Sequence, residues 1–378
     1  MALVFDEIKD APQTHILIIG VGNYPYTSGG VNFNSARNAT LNDIGQLSSP
    51  KDSAAFFYRN MLDFHKNASW TVPLGSIEFL SESPVNASVL PANTPFQQPT
   101  KNAVRSGYQA WKSRCNSHED NVAIFYFCRH GLQGDDHFLL CADFGEDQFN
   151  PWEHAFAFDL TCRAFRSCKA RTQLFFVDAC RNVTTEMLIN HITVSPLEQL
   201  NLLSTTSQYS LILKASCHNE SAFGPKNAPS FFCQALIRGM RNDGLQNNGT
   251  NWVVSSGEIA KNINLWMKNV DQAQGYSQRC QQESTDTFEL LKFNSPPKVP
   301  VELDCQPSEA LPLATLRYQN IHDTTCSGER DPTLESWKLE LPSGIYQLDA
   351  RYSDPRFRTP AAFTYIGLPF SKNILKAQ

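Results

Sequence analysis

Two stretches carry residues whose types and spacing suit nucleophilic catalysis. One runs Leu174-Phe175-Phe176-Val177-Asp178-Ala179-Cys180-Arg181, an apolar run that ends in a thiol flanked by a carboxylate and a guanidinium. The other runs Val122-Ala123-Ile124-Phe125-Tyr126-Phe127 and ends at Cys128-Arg129-His130-Gly131. Apolar runs of this length read as buried strands. Laid side by side and parallel, they project a thiol and an imidazole from one sheet edge, at the carboxyl ends where open α/β sheets place their sites. A free thiol is mostly protonated near neutral pH, so an imidazole or a set of backbone N–H groups must activate it. Cys180 is the candidate nucleophile and His130 its base or imidazolium partner.

The order of strand, His-Gly, about fifty residues, then strand and Asp-Ala-Cys-Arg resembles the caspase-like cysteine peptidases, caspases and metacaspases together. The resemblance covers roughly Thr14 to Phe293. It implies a caspase-like α/β/α sandwich with a mostly parallel central sheet, and a cysteine endopeptidase acting on a protein substrate. It also implies an oxyanion hole built from the N–H groups of Gly131 and Cys180, with a glycine after the histidine to allow close backbone approach. Asp178 departs from caspases proper, which carry an uncharged glutamine there. Metacaspases have an aspartate and cut after Arg or Lys, so Asp178 is expected in the S1 pocket, where a carboxylate pairs with a basic side chain. The alternative is that Asp178 holds Arg181 or caps a helix. Ala215-Ser216-Cys217-His218-Asn219-Glu220 is similar to the family segment that pairs with extended substrate, with Ser216 in contact with it and Glu220 assisting Asp178. Arg129 is a second departure, because the family has a small residue before His-Gly. A cation there lowers the histidine pKa, steadies the thiolate or covers the cleft at rest.

The surrounding elements follow from periodicity and breakers. His15 to Gly22 reads as a first strand with a glycine exit, and its GVGNYP lacks the spacing and the lysine of a phosphate loop. A helix is expected to enter at Asp52, with Asp52 as its cap. Ser76 to Leu80 is a strand, Ser81 to Pro99 a polar loop, and Lys101 to Arg114 a helix with Ala103, Gly107, Ala110 and Trp111 on one face. Beyond the histidine, Asp135 to Asp143 resembles the family's returning strand. A short helix from Phe158 to Ala170, a strand from Leu211 to Ser216, and helices from Ser230 to Met240 and from Ser255 to Lys268 complete the sandwich. After Ser295 to Pro300 the pattern changes to period two, in Leu311 to Tyr318, Trp337 to Leu341 and Ile345 to Tyr352, which are strands of a small β-sandwich. The expected organisation is an N-terminal extension 1–13, a peptidase domain 14–294, a Pro-rich linker 295–300 and a β module 301–378.

Composition narrows the classes. The 378 residues carry a net charge of −5 and no Lys/Arg run, which disfavours a nucleic-acid partner. No stretch reaches about 18 consecutive apolar residues, and Met1 to Pro12 lacks a basic start and apolar run, so neither a membrane span nor a signal peptide is expected. Eleven cysteines without a CxxC pair or regular framework read as free thiols in a reducing, cytoplasmic setting. No cofactor is expected. Asp135, Asp136, Glu146 and Asp147 lack the spacing of a calcium loop and read as solvated loop acids, so no metal is assigned. The competing class is an inactive caspase-like scaffold that binds a partner through the cleft or the β module. The connector Asn182 to Leu213 contains no Lys, Arg or Asp, and its acids are Glu186 and Glu198. A protease with basic preference would therefore not process itself there, and control would fall to an activating protein or ligand.

Overall fold

The computed structural model describes residues 2–34, 43–84, 90–91, 94–183, 192–200, 207–274, 278–358, 361–367 and 370–377. In chain order the first unit comprises β1 (Leu3–Asp6), β2 (Thr14–Gly20), α1 (Ser49–Lys66), β3 (Leu74–Ser81), α2 (Lys101–Cys115), β4 (Val122–Arg129), β5 (Gly131–Gln133), β6 (His137–Leu140), β7 (Ala155–Ala157) and α3 (Phe158–Phe165). There follow β8 (Thr172–Ala179), β9 (Tyr209–Lys214), α4 (Phe231–Arg238), α5 (Ser256–Gln274) and β10 (Gln281–Ser284). Seven of the strands form one mixed sheet in the order β1-β3-β2-β4-β8-β9-β10. The five central strands are parallel and the two outer ones antiparallel.

β4 is buried along its whole length and β8 at every residue after the first, as their near-continuous apolar sequences require. Alternate side chains project to opposite faces of a strand. On one face Phe57 of α1 stacks on Tyr126 at 4.4 Å and Tyr58 tilts against Phe79 at 5.2 Å. On the other, Trp111 of α2 stacks on Phe165 of α3 at 4.5 Å and meets Phe125 and Phe175 of the sheet. Helices thus cover both faces, the α/β/α sandwich that the resemblance implies. Burial of a side chain the size of Trp111 contributes about 3 kcal/mol or more, so this aromatic cluster anchors the strands that carry the site.

Some boundaries differ from the sequence reading. α1 begins at Ser49 with Pro50 in its first turn, because proline's fixed φ suits a helix start. Asp52 therefore lies inside the first turn and Ser48 holds the cap position. The buried face of α2 runs through Val104, Gly107, Tyr108, Trp111 and Cys115 rather than Ala103 and Ala110.

The second unit comprises residues 238–254 and 292–378. Its C-terminal strands are β11 (Lys298–Gln306), β12 (Ala314–Asn320), β13 (Ser327–Arg330), β14 (Trp337–Pro342), β15 (Gly344–Tyr352), β16 (Ala362–Ile366) and β17 (Ser371–Lys376). They make two sheets, β14-β11-β17 and β13-β12-β15-β16. Alternate residues of β11, Val299, Val301, Leu303 and Cys305, share one core with Leu316, Tyr346 and Leu348 of the second sheet. β11 starts inside the stretch read as linker, with Lys298 to Pro300 paired to Glu340 to Pro342. Leu311 to Tyr318 is not one strand: Ser308–Leu313 forms a 3-10 turn containing Pro312, and pairing begins at Ala314. Among the described residues no helix is long and apolar enough to cross a membrane.

Candidate active site

β4 and β8 are adjacent and parallel, with Cys128 opposite Asp178 and Arg129 opposite Ala179. One residue past that last rung come His130 and Cys180. Both line a cleft of about 350 Å³, together with Gln46, Leu47, Ser49, Asp178, Ala222 and Ser230. The two residues singled out for chemistry therefore line one cavity, brought to the same sheet edge by strand register.

His130 Nε2 is 2.8 Å from the carbonyl oxygen of Gly45. A carbonyl only accepts, so Nε2 carries the proton and Nδ1 holds the lone pair of the neutral ring. The His130 N–H donates to Tyr24 Oη at 3.3 Å, and the two rings tilt together at 5.2 Å. Burial pulls the imidazole pKa down to about 4; the Gly45 bond opposes this and Arg129 adds to it.

The half-buried Cys180 thiol donates to the Ala222 carbonyl at 3.6 Å and accepts from the Ala222 N–H at 3.2 Å. Burial pushes its pKa up, against the Ala222 N–H, which pulls it down. The resting pair is thus a neutral thiol and a neutral imidazole, not the lowered thiolate that nucleophile chemistry first suggests. Behind it, a Cβ on Gly131 would lie 2.6 Å from both the Cys180 oxygen and His137 Nε2, so the residue after the histidine has no room for a side chain.

Asp178 is buried and accepts on Oδ2 from Tyr126 Oη at 3.1 Å, Cys128 Sγ at 3.2 Å and Ser230 Oγ. Burial raises its pKa, and these three donors oppose the rise. Among the described residues no cation pairs with it. Arg181 turns away, its Nε donating to Gln133 Oε1 at 2.8 Å and its Nη1 to Gln281, so Asp178 does not hold Arg181. A desolvated carboxylate at a cleft wall, without a countercharge, suits a cationic guest.

Ser216 and Glu220 do not line the cleft. Ser216 is buried and donates to the Ala179 carbonyl at 3.0 Å. Glu220 is paired with Arg279 at 2.5 Å and accepts from the Cys217 N–H. Burial acts against it, but the Arg279 and Cys217 bonds hold its carboxyl below the ordinary value. The segment reaches Cys180 through the backbone of Ala222 instead. Gly45 and Ala222 escaped the sequence reading because both act through main-chain atoms, which leave no side-chain signal. Tyr126 and Ser230 were seen only as strand and helix residues.

Arg129 is not a solvated arm over the cleft. Its guanidinium is sealed beside the rings of Phe127, at 4.3 Å, and Phe156, at 5.6 Å. Its three nitrogens have no hydrogen-bond partner among the described residues, and burial pulls its pKa down to about 9. Of the loop acids, Asp136 caps α3 by accepting from Asp159 N–H and Leu160 N–H, and Asp147 accepts from Phe149 N–H. Glu146 lies with Asp143 and His154, their ligand atoms all within 4.8 Å, a grouping that the sequence spacing did not assemble.

Residues 13–291 match the family model of Peptidase C14, the caspase domain. A curated relative, the uncharacterized protein y4kE of Sinorhizobium fredii, is 27% identical over 255 residues, which cover 64% of this chain and 72% of that protein. Among solved structures, caspase-1 from Spodoptera frugiperda aligns with a TM-score of 0.41 and 12% identity, covering 77% of this chain and 96% of that one.

Proposed function

The chain belongs to the caspase-domain peptidase family, and from that premise we propose that it is a cysteine endopeptidase cleaving a protein substrate after Arg or Lys. The observation that carries this reading is the cleft itself, in which His130, Cys180 and an uncompensated Asp178 carboxylate line a single cavity. Asp178 receives the P1 cation, exchanging a costly lone charge for a charge-assisted pair. Sγ of Cys180 attacks the scissile carbonyl while its proton passes to Nδ1 of the neutral His130. The oxyanion is received by the N–H groups of Gly131 and Cys180. His130 returns the proton to the leaving amine, and water then hydrolyses the acyl-enzyme. Ser216 and Glu220 take no part in this step: Ser216 is bonded to the Ala179 carbonyl and the Glu220 carboxylate to Arg279.

The setting proposed is cytoplasmic, in regulated cell-death or defence signalling, with activation by a protein or ligand and no cofactor. The C-terminal β module, whose first strand begins at Lys298, is the proposed docking surface for the activator. One observation favours the second reading, an inactive scaffold: the thiol is bonded to Ala222 and its pKa is raised. Incubation with an arginyl chloromethyl ketone separates the two readings. Covalent capture on Cys180 supports the peptidase, and an unmodified Cys180 supports the scaffold.

A further inference from the structure

β5 and β6 form a hairpin immediately after His130, with Gln133 opposite His137. This hairpin is fastened to the three residues that begin at the nucleophile. The Gln133 N–H donates to the Asn182 carbonyl at 2.9 Å, and its Oε1 accepts from Arg181 Nε at 2.8 Å. His137 reaches Cys180 itself, its Nε2 lying 3.0 Å from the Cys180 carbonyl oxygen. That imidazole has no solvent exposure, and Phe158 packs edge-on to it at 6.2 Å. Its Nδ1 has no hydrogen-bond partner among the described residues. Burial, with Lys214 and Arg181 nearby, holds its pKa well below the ordinary value, so the ring is neutral with its proton on Nε2.

A buried imidazole with one nitrogen unsatisfied costs more than an apolar side chain of the same shape, so its retained bond needs a reason. The reason lies in what it touches. A Cβ placed on Gly131 would lie 2.6 Å from both the Cys180 oxygen and His137 Nε2, so these two hydrogen-bonded atoms close together over the Gly131 Cα. We propose that His137 is a positioning residue for the peptidase reaction: its imidazole holds the Cys180 carbonyl against Gly131 and so fixes the spacing of the two N–H groups that receive the oxyanion. This rests on the peptidase reading above. An error of about 1 Å in such a donor pair costs on the order of 100-fold in rate.

The test compares the full chain with His137→Leu, His137→Met and His137→Gln, measuring hydrolysis of an Arg-P1 peptide amide, iodoacetamide alkylation of Cys180 and the melting temperature. In the Leu and Met variants kcat falls at least about tenfold with KM within about threefold, the pattern of a lost transition-state interaction. Alkylation, which forms no oxyanion, stays within about threefold of wild type. Gln places an amide N–H near the lost Nε2–H, and it restores kcat to within about threefold. Unchanged kcat in a folded Leu or Met variant overturns the inference. So does a Gln variant no better than Leu, or failure of both Leu and Met variants to fold, which makes the role structural only. A folded wild type that hydrolyses nothing removes the peptidase reading, and this inference with it; an active wild type beside an unimpaired His137→Leu removes this inference alone.

Discussion

The imidazole of His130 is tied through Nε2 to the carbonyl of Gly45 at 2.8 Å, while the Cys180 thiol is bonded to the backbone of Ala222. Each member of the pair thus rests uncharged, held by main-chain atoms from loops far apart in sequence. In the proposed mechanism the proton therefore moves during attack, with no thiolate–imidazolium pair stored beforehand.

The pH dependence of simple alkylation follows from that state. The Cys180 pKa lies above its ordinary value of 9.0, so the thiolate fraction rises with pH through and beyond that point. The rate of iodoacetamide capture at Cys180, located by peptide mass spectrometry, is expected to climb steadily above pH 8. A reactivity plateau from pH 5 upward would mean a preformed ion pair and contradict the neutral resting state.

Asp178→Asn should weaken cleavage after Arg about 100-fold in kcat/KM, the loss expected for an ion pair in a desolvated pocket. The fold should survive, because Asn keeps an oxygen acceptor for Tyr126 or Ser230. A P1 profile over a peptide library checks this. Dominance of Asp or of an apolar residue at P1 in the wild type would overturn the assignment.

Gly131→Ala adds a methyl 2.6 Å from the Cys180 oxygen, a distance that real contacts do not tolerate. Overpacking of this kind costs about 1–3 kcal/mol. Urea unfolding should register that loss, and peptide hydrolysis should fall with it, since the displaced atoms are the Cys180 carbonyl oxygen and His137 Nε2. A Gly131→Ala protein of wild-type stability and activity would show that this close approach does not matter.

Much of the site was legible because its carriers are strands. Phe125, Phe127, Phe175 and Val177 announce burial by composition alone, and two adjacent parallel strands fix where His130 and Cys180 emerge. Asp178 was recognisable as a carboxylate in the cleft wall, although nothing in the sequence revealed that Tyr126, Cys128 and Ser230 would converge on it. Glu220 misled, because its partner Arg279 stands 59 residues away and pairs with it only in the folded chain. Main-chain contributions from Gly45 and Ala222 carry no residue signature. In the β module, period-two alternation marked three strands, with Pro312 shifting the start of the first, while the strand Lys298–Gln306 went unread because its opening residues looked like a Pro-rich linker.

The connector Asn182 to Leu213 has no Lys, Arg or Asp, so a protease with basic preference does not cut itself there. Residues 184–191 and 201–206 of this connector lie outside the described residues. Intact-mass and peptide mapping of the active enzyme should find the segment unbroken. A required cleavage inside it would contradict control by an activator.

Peptide hydrolysis by purified wild type, Cys180→Ala and His130→Ala, with melting temperatures measured alongside, tests the proposed dyad most directly. With an Arg-P1 substrate the account predicts turnover by wild type and a loss of at least about 1,000-fold in each variant, with the fold intact, as expected when nucleophile or base is removed. Wild-type turnover persisting in either variant would contradict it.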